Sequence, residues 1–208
     1  MSPRLFTSAA VCFASLVSFA VGCNAILGYD AATLGSPESE AGTALSCSSY
    51  CSAIMSTCTG TNTEYLDNQV CTSMCQVFDP GIASDTTGDS LACRVAHLAA
   101  AKADPATGCP QAGPTGAGAC GTDPCQAFCE LDLSQCSTQP TPPYPNQPTC
   151  QTDCDAFSYD AGLGDLTQSA GNTLNCRIYH LESAYDTDNP SAQSEHCPHT
   201  QVVSATCN

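Results

Sequence analysis

Three histidines, His180, His196 and His199, crowd the C-terminal end of this 208-residue chain, with Glu195 beside them. Neutral imidazoles with a neighbouring carboxylate suit Zn or Cu, so metal binding is one chemistry the residues raise. A second is nucleophilic, through Ser90 in Gly88-Asp89-Ser90-Leu91. The third is thiol chemistry, because the chain holds 18 cysteines. No CxxC or CxxCH spacing occurs, which leaves thioredoxin-like redox and c-type haem attachment without support, and no cofactor is expected.

The cysteines are ordered. Cys47, Cys51, Cys58, Cys71, Cys75, Cys93, Cys109 and Cys120 have counterparts in Cys125, Cys129, Cys136, Cys150, Cys154, Cys176, Cys197 and Cys207. Gly88 to Leu98 aligns with Gly171 to Leu181, so that Arg94 and His97 correspond to Arg177 and His180. Insertions fall between fixed cysteines, with 17 residues against 21 before the sixth and 15 against 20 before the seventh. One unit used twice accounts for this pattern.

The remaining two cysteines lie at the N-terminus. Arg4, an apolar run from Leu5 to Ala20 and the closing Ala20-Val21-Gly22-Cys23 have the layout of a secretion signal. The closing tetrapeptide resembles the lipobox of bacterial lipoproteins, which implies that Cys23 is acylated, by palmitate or a similar chain, and becomes the mature N-terminus. Cys12 would be lost with the leader. The expected organisation is a signal over 1–22, a flexible acidic tether over 23–46, a first repeat over 47–120 and a second over 121–208. Export makes disulfides the default for the sixteen cysteines that remain.

Composition agrees. There is no Trp, aromatics make up 6%, and Gly and Pro number 15 and 14, so each repeat has little apolar bulk and needs staples. All 20 acidic residues follow the leader, against the three cations Arg94, Lys102 and Arg177, a mature net charge of −17. Such a surface repels phosphate backbones, and no nucleic-acid partner is expected.

Within each repeat the first three cysteines sit at i, i+4 and i+11, within about 40° of one another on a helix at 100° per residue. The next two are again four apart, on a helix that Asn62 or Thr63 can cap and that runs through Leu66, Val70, Met74 and Phe78. If the two helices are antiparallel, equal residue-number sums put Cys47 opposite Cys75, Cys51 opposite Cys71, Cys125 opposite Cys154 and Cys129 opposite Cys150. The resulting CxxxC…CxxxC hairpin is similar to plant α-hairpinins, a likeness of fold element. A third helix starts at Asp89-Ser90 or Asn172-Thr173 and has ended by Pro105 or Pro190. Cys58–Cys93 and Cys136–Cys176 then tie hairpin to third helix, and Cys109–Cys120 and Cys197–Cys207 close an irregular Gly- and Pro-rich tail. The expected fold is small, disulfide-rich and mainly α.

Gly88-Asp89-Ser90-Leu91 resembles the GDSL block of a hydrolase family, whose serine is the nucleophile. The preceding residues are too polar for that family's buried strand, and the second copy reads Gly171-Asn172-Thr173-Leu174, which keeps helix capping and discards the serine. An enzyme is therefore not expected. Arg94, His97, Arg177 and His180, retained in both copies, either pack structurally or form a binding site present twice. Leader, acidic tether and cysteine-rich repeats together resemble cysteine-rich bacterial lipoproteins. The expectation is a lipid-anchored binding or structural module at the bacterial cell envelope, on the outer membrane or cell surface. Its partners would be the bilayer, through the acyl anchor, and an envelope or extracellular protein or glycan. Metal binding through His180, His196 and His199 is the alternative, and inhibition of a secreted protease a further one.

Overall fold

A computed structural model describes residues 45–161 and 166–208. The leader, Cys12, Cys23 and the tether as far as residue 44 lie outside the described residues. Seven of the helices begin where a short polar side chain can accept one of the unpaired N–H groups of a first turn. In the N-terminal half these are α1 (Cys47–Thr57) capped by Ser46, α2 (Asn68–Cys75) by Asp67, α3 (Leu91–Ala101) by Ser90 and α4 (Pro105–Ala112) by Asp104. In the C-terminal half they are α5 (Pro124–Cys136) capped by Asp123, α6 (Gln147–Cys154) by Asn146 and α7 (Leu174–Ala184) by Thr173. The short α8 (Ala192–His196) runs into a 3-10 turn over Cys197–His199. Among the described residues the only β pairing is two isolated bridges, Asp79 with Ser90 and Ser158 with Thr173. The fold is disulfide-rich and mainly α.

Two expectations about the helices need correction. The second helix does not start at Asn62 or Thr63. Asn62 ends a short 3-10 turn, and no helix resumes until after Asp67, whose carboxylate accepts the Val70 N–H at 2.8 Å. The intervening stretch buries Glu64 and Tyr65, and the Tyr65 hydroxyl meets that of Tyr50 at 2.8 Å, an arrangement a longer helix would break. Nor is the tail after α3 irregular. It folds back as α4, with Pro105 in the first turn, where a missing N–H costs nothing. Gly108 makes this return possible, since a Cβ there would come within 2.5 Å of the Ala101 backbone.

The disulfides follow from that return. Cys47–Cys75, Cys51–Cys71, Cys125–Cys154 and Cys129–Cys150 join the antiparallel hairpins α1/α2 and α5/α6, in the register set by the equal sums. The other four pairs differ from expectation. Cys58 bonds Cys109 rather than Cys93, and Cys93 bonds Cys120; likewise Cys136 bonds Cys197 and Cys176 bonds Cys207. Because α4 packs on both α3 and α1, it carries Cys109 to the C-terminal end of α1, where Cys58 caps the helix. The chain then returns Cys120 to the first turn of α3, beside Cys93. Both halves therefore pair first with fifth, second with fourth, third with seventh and sixth with eighth.

All sixteen of these cysteines are bonded, with Cα separations of 5.6 to 5.8 Å. The hairpin bridges and the bridges Cys58–Cys109 and Cys136–Cys197 share one hydrophobic core with Tyr50, Ile54, Met74, Phe128, Leu131 and Ile178. That core spans both halves, and the described residues make one compact unit. Contacts across it include Gln69 Nε2 donating to the Tyr185 carbonyl at 3.2 Å and the Thr115 and Tyr159 hydroxyls at 3.1 Å. No helix among the described residues is long and apolar enough to cross a membrane.

Candidate functional site

Helices α3 and α7 carry the residues that the two halves share, and their N-caps fix the phase of those residues. Ser90 Oγ accepts the Cys93 N–H at 3.2 Å and Thr173 Oγ1 accepts the Cys176 N–H at 3.1 Å. Ser90 thus does at α3 what Thr173 does at α7, and both ring nitrogens of His97, about two helix turns further on, are engaged elsewhere. The serine is a helix cap, and neither nitrogen of His97 faces it.

Both arginines are buried and place their donors inside the fold. Arg94 is fully buried and donates to the carbonyls of Ser90, Gly113 and Pro114 at 3.1, 3.2 and 2.9 Å. It pairs with Asp89 at 2.6 Å, and its guanidinium lies 3.8 Å from the Phe78 ring centroid. Arg177 repeats this at 3.5 Å over Phe157, donating to the carbonyls of Thr173, Val202 and Cys207 and to the Asn172 side chain. Each fork gathers the carbonyls of the segment that follows the seventh cysteine and holds it on the third helix. Five donors in a rigid plane suit that task. Of the two alternatives for Arg94, His97, Arg177 and His180, packing or a repeated binding site, the contacts of the two arginines are those of packing.

The histidines diverge between the halves. His97 Nδ1 meets the Gln111 side-chain oxygen at 2.9 Å, and its Nε2 faces the Thr86 carbonyl at 3.1 Å. Every polar atom of that ring has a partner. His180 keeps the equivalent carbonyl contact, to Ser169 at 3.2 Å, but the position of Gln111 is now His199 and that of Gly108 is now His196. The His180 Nδ1 faces His196 Nδ1 at 3.1 Å, with the two rings stacked at 5.4 Å. The His199 ring centroid is 4.7 Å from that of His180, and its buried Nδ1 has no hydrogen-bond partner.

Because Nε2 of His180 faces a carbonyl, it carries the proton, and Nδ1 presents a lone pair. Burial, and then the neighbouring His199, push the His180 pKa down to about 4. Burial lowers His196 as well, against the opposing pull of Glu195. Both rings are neutral at pH 7. Glu195 itself is exposed and serves as a field rather than as part of the imidazole cluster.

Other groupings of donor atoms are closed. His97 lies beside Cys93 and Cys120, and His180 beside Cys176 and Cys207, but in each case the sulfurs are bonded to each other and no thiolate exists. Asp123 and Asp155 approach Cys125, which is likewise in a disulfide.

Residues 32–124 match the BfoA family C-terminal domain. The match takes in the whole N-terminal half from Cys47 to Cys120 and stops one residue short of Cys125, so the histidine cluster lies outside it. The chain is similar to that family over less than half its length. No curated protein and no solved structure matches it.

Sequence reasoning found the three histidines but missed three buried acids, Glu64, Asp132 and Glu182. Asp132 stands seven residues after Cys125, where the first half has the core residue Ile54, and Glu182 stands where the first half has the exposed Ala99. Alignment of the halves marks Asp132 as an acid in a core position. Nothing in the sequence marks Glu182.

Proposed function

We propose that the protein is an exported, lipid-anchored binding or structural module of the bacterial cell envelope. Cys23 carries the acyl group, residues 24–46 act as the tether, and two tandem repeats of one ancestral unit form the displayed body. The observation that carries this reading is the disulfide count: eight bridges hold one small body, which requires folding in an oxidising compartment. Identical pairing order in the two halves supports the duplication. A stapled body with buried arginines and a helix-capping serine suits display and binding better than catalysis.

The test is intact mass of the protein from its native envelope, alkylated before reduction, beside a Cys23→Ser variant. The reading requires an acyl mass on Cys23, no alkylation of the other sixteen cysteines, and release of the variant from the membrane fraction. An unmodified Cys23, or sixteen alkylatable thiols, overturns it.

A further inference from the structure

We propose that the C-terminal half binds one divalent transition-metal ion of the imidazole-preferring class, Cu(II) or Zn(II), through His180, His196 and His199. The inference goes beyond the anchored-module reading and does not depend on it.

Two nitrogens bound to one tetrahedral zinc at Zn–N distances of about 2.0–2.1 Å lie about 3.3 Å apart. The Nδ1 atoms of His180 and His196 are 3.1 Å apart, so two ligands already stand close to that bite. The Ser169 carbonyl holds the far nitrogen of His180, as outer partners of metal-bound histidines do, which fixes the ring and leaves Nδ1 as the ligand atom. The third nitrogen would be the partnerless Nδ1 of His199, whose ring centroid lies 4.7 Å from that of His180; the three rings do not yet offer one nitrogen each within 4.8 Å of one another, so that side chain must turn to complete the set. A buried polar atom without a partner carries a cost that a metal bond removes. His196 and His199 are partly exposed, which gives an ion a way in.

The N-terminal half is an internal control. Its Gln111 and Gly108 occupy the positions of His199 and His196, and His97 is satisfied on both nitrogens. Only one site per chain results. With the nearby sulfurs in a disulfide, the donor set is nitrogen alone, which favours Cu(II) and Zn(II) over the thiolate-seeking Cu(I).

The experiment titrates the full-length, disulfide-intact protein, freed of metal, with copper(II) chloride and separately with zinc chloride at pH 7, reading bound metal per chain and the Cu(II) EPR spectrum. One ion per chain is expected, with nitrogen hyperfine structure in the copper form. H199Q and the double variant H196G/H199Q, which restore the residues of the other half, should weaken binding by roughly 10- to 100-fold. H97Q should bind as the unaltered protein does. Intact mass verifies eight disulfides in each variant, and H199Q alone decides the matter if the double variant does not fold. Absence of a bound equivalent of either metal, or equal binding by H199Q, overturns the proposal.

Discussion

Glu182 on α7 accepts the backbone N–H of Leu66 at 3.0 Å, across 116 residues of sequence. The carboxylate is fully buried, at the seam where α7 meets α2, and it joins the two halves rather than facing solvent. Replacing Glu182 by Ala orphans that N–H and should cost about 1–3 kcal/mol. Glu182→Gln, which keeps an acceptor oxygen, should cost less. Guanidinium titration with the disulfides intact reads both. The native protein should unfold in one transition, and two separate transitions, or an unshifted midpoint for Glu182→Ala, would show that the seam contributes nothing.

Arg94 and Asp89 form a buried pair, so removing one partner leaves the other charge without compensation. Arg94→Met should destabilise by about 3–5 kcal/mol, far more than the same change at Lys102, which is exposed. Adding Asp89→Asn should recover part of the loss. If the double variant is no more stable than Arg94→Met, the carbonyl contacts to Gly113 and Pro114 carry the role of Arg94 and the ion pair does not.

Asp132 should make stability depend on pH. Its two oxygens are buried without a hydrogen-bond partner, and the nearby Thr200 hydroxyl donates to the Cys197 carbonyl instead. Burial raises its pKa to about 7, with Thr200 opposing. Below the unfolded value, near pH 4, both states are protonated and nothing is lost. As pH rises toward 7 the unfolded chain binds fewer protons than the folded one, so stability falls, by on the order of 4 kcal/mol in all. Asp132→Asn should remove that slope, leave stability at pH 4 nearly unchanged and raise it at pH 8. Unfolding midpoints measured across pH 4 to 8 check this, and parallel curves for the two proteins would refute it.

The legible parts of the fold were those governed by local rules. Equal sums placed four disulfides because two rigid helices with i, i+4 cysteines admit one antiparallel register, and Ser90 and Thr173 announced the starts of α3 and α7. The illegible parts depended on the return of the chain. Pro105 reads as the end of a helix and the Gly- and Pro-rich stretch after it as irregular, yet Pro105 begins α4, and Gly108 is what lets α4 lie against Ala101. Once α4 was missed, Cys109 had no route to Cys58. The same return brings His196 and His199 to His180, and so their proximity, unlike their presence, was hidden in the sequence.

The pairing of Cys58 with Cys109 is therefore the sharpest check on the architecture. A Cys109–Cys120 bridge would close a short local loop, whereas Cys58–Cys109 spans 51 residues and fastens α4 to the end of α1. Longer closed loops remove more freedom from the unfolded chain, so replacing both Cys58 and Cys109 by Ala should cost about 2–5 kcal/mol. It should also loosen the stretch around Gly113 and Pro114 that Arg94 holds, seen as faster amide exchange there than at Cys71 or Cys75 in the hairpin. Peptic digestion without reduction, followed by mass spectrometry, should yield one peptide containing Cys58 joined to another containing Cys109. A peptide carrying Cys109 and Cys120 bonded to each other would mean that α4 does not fold back, and the equivalent return that gathers the histidines around Cys197 would lose its footing as well.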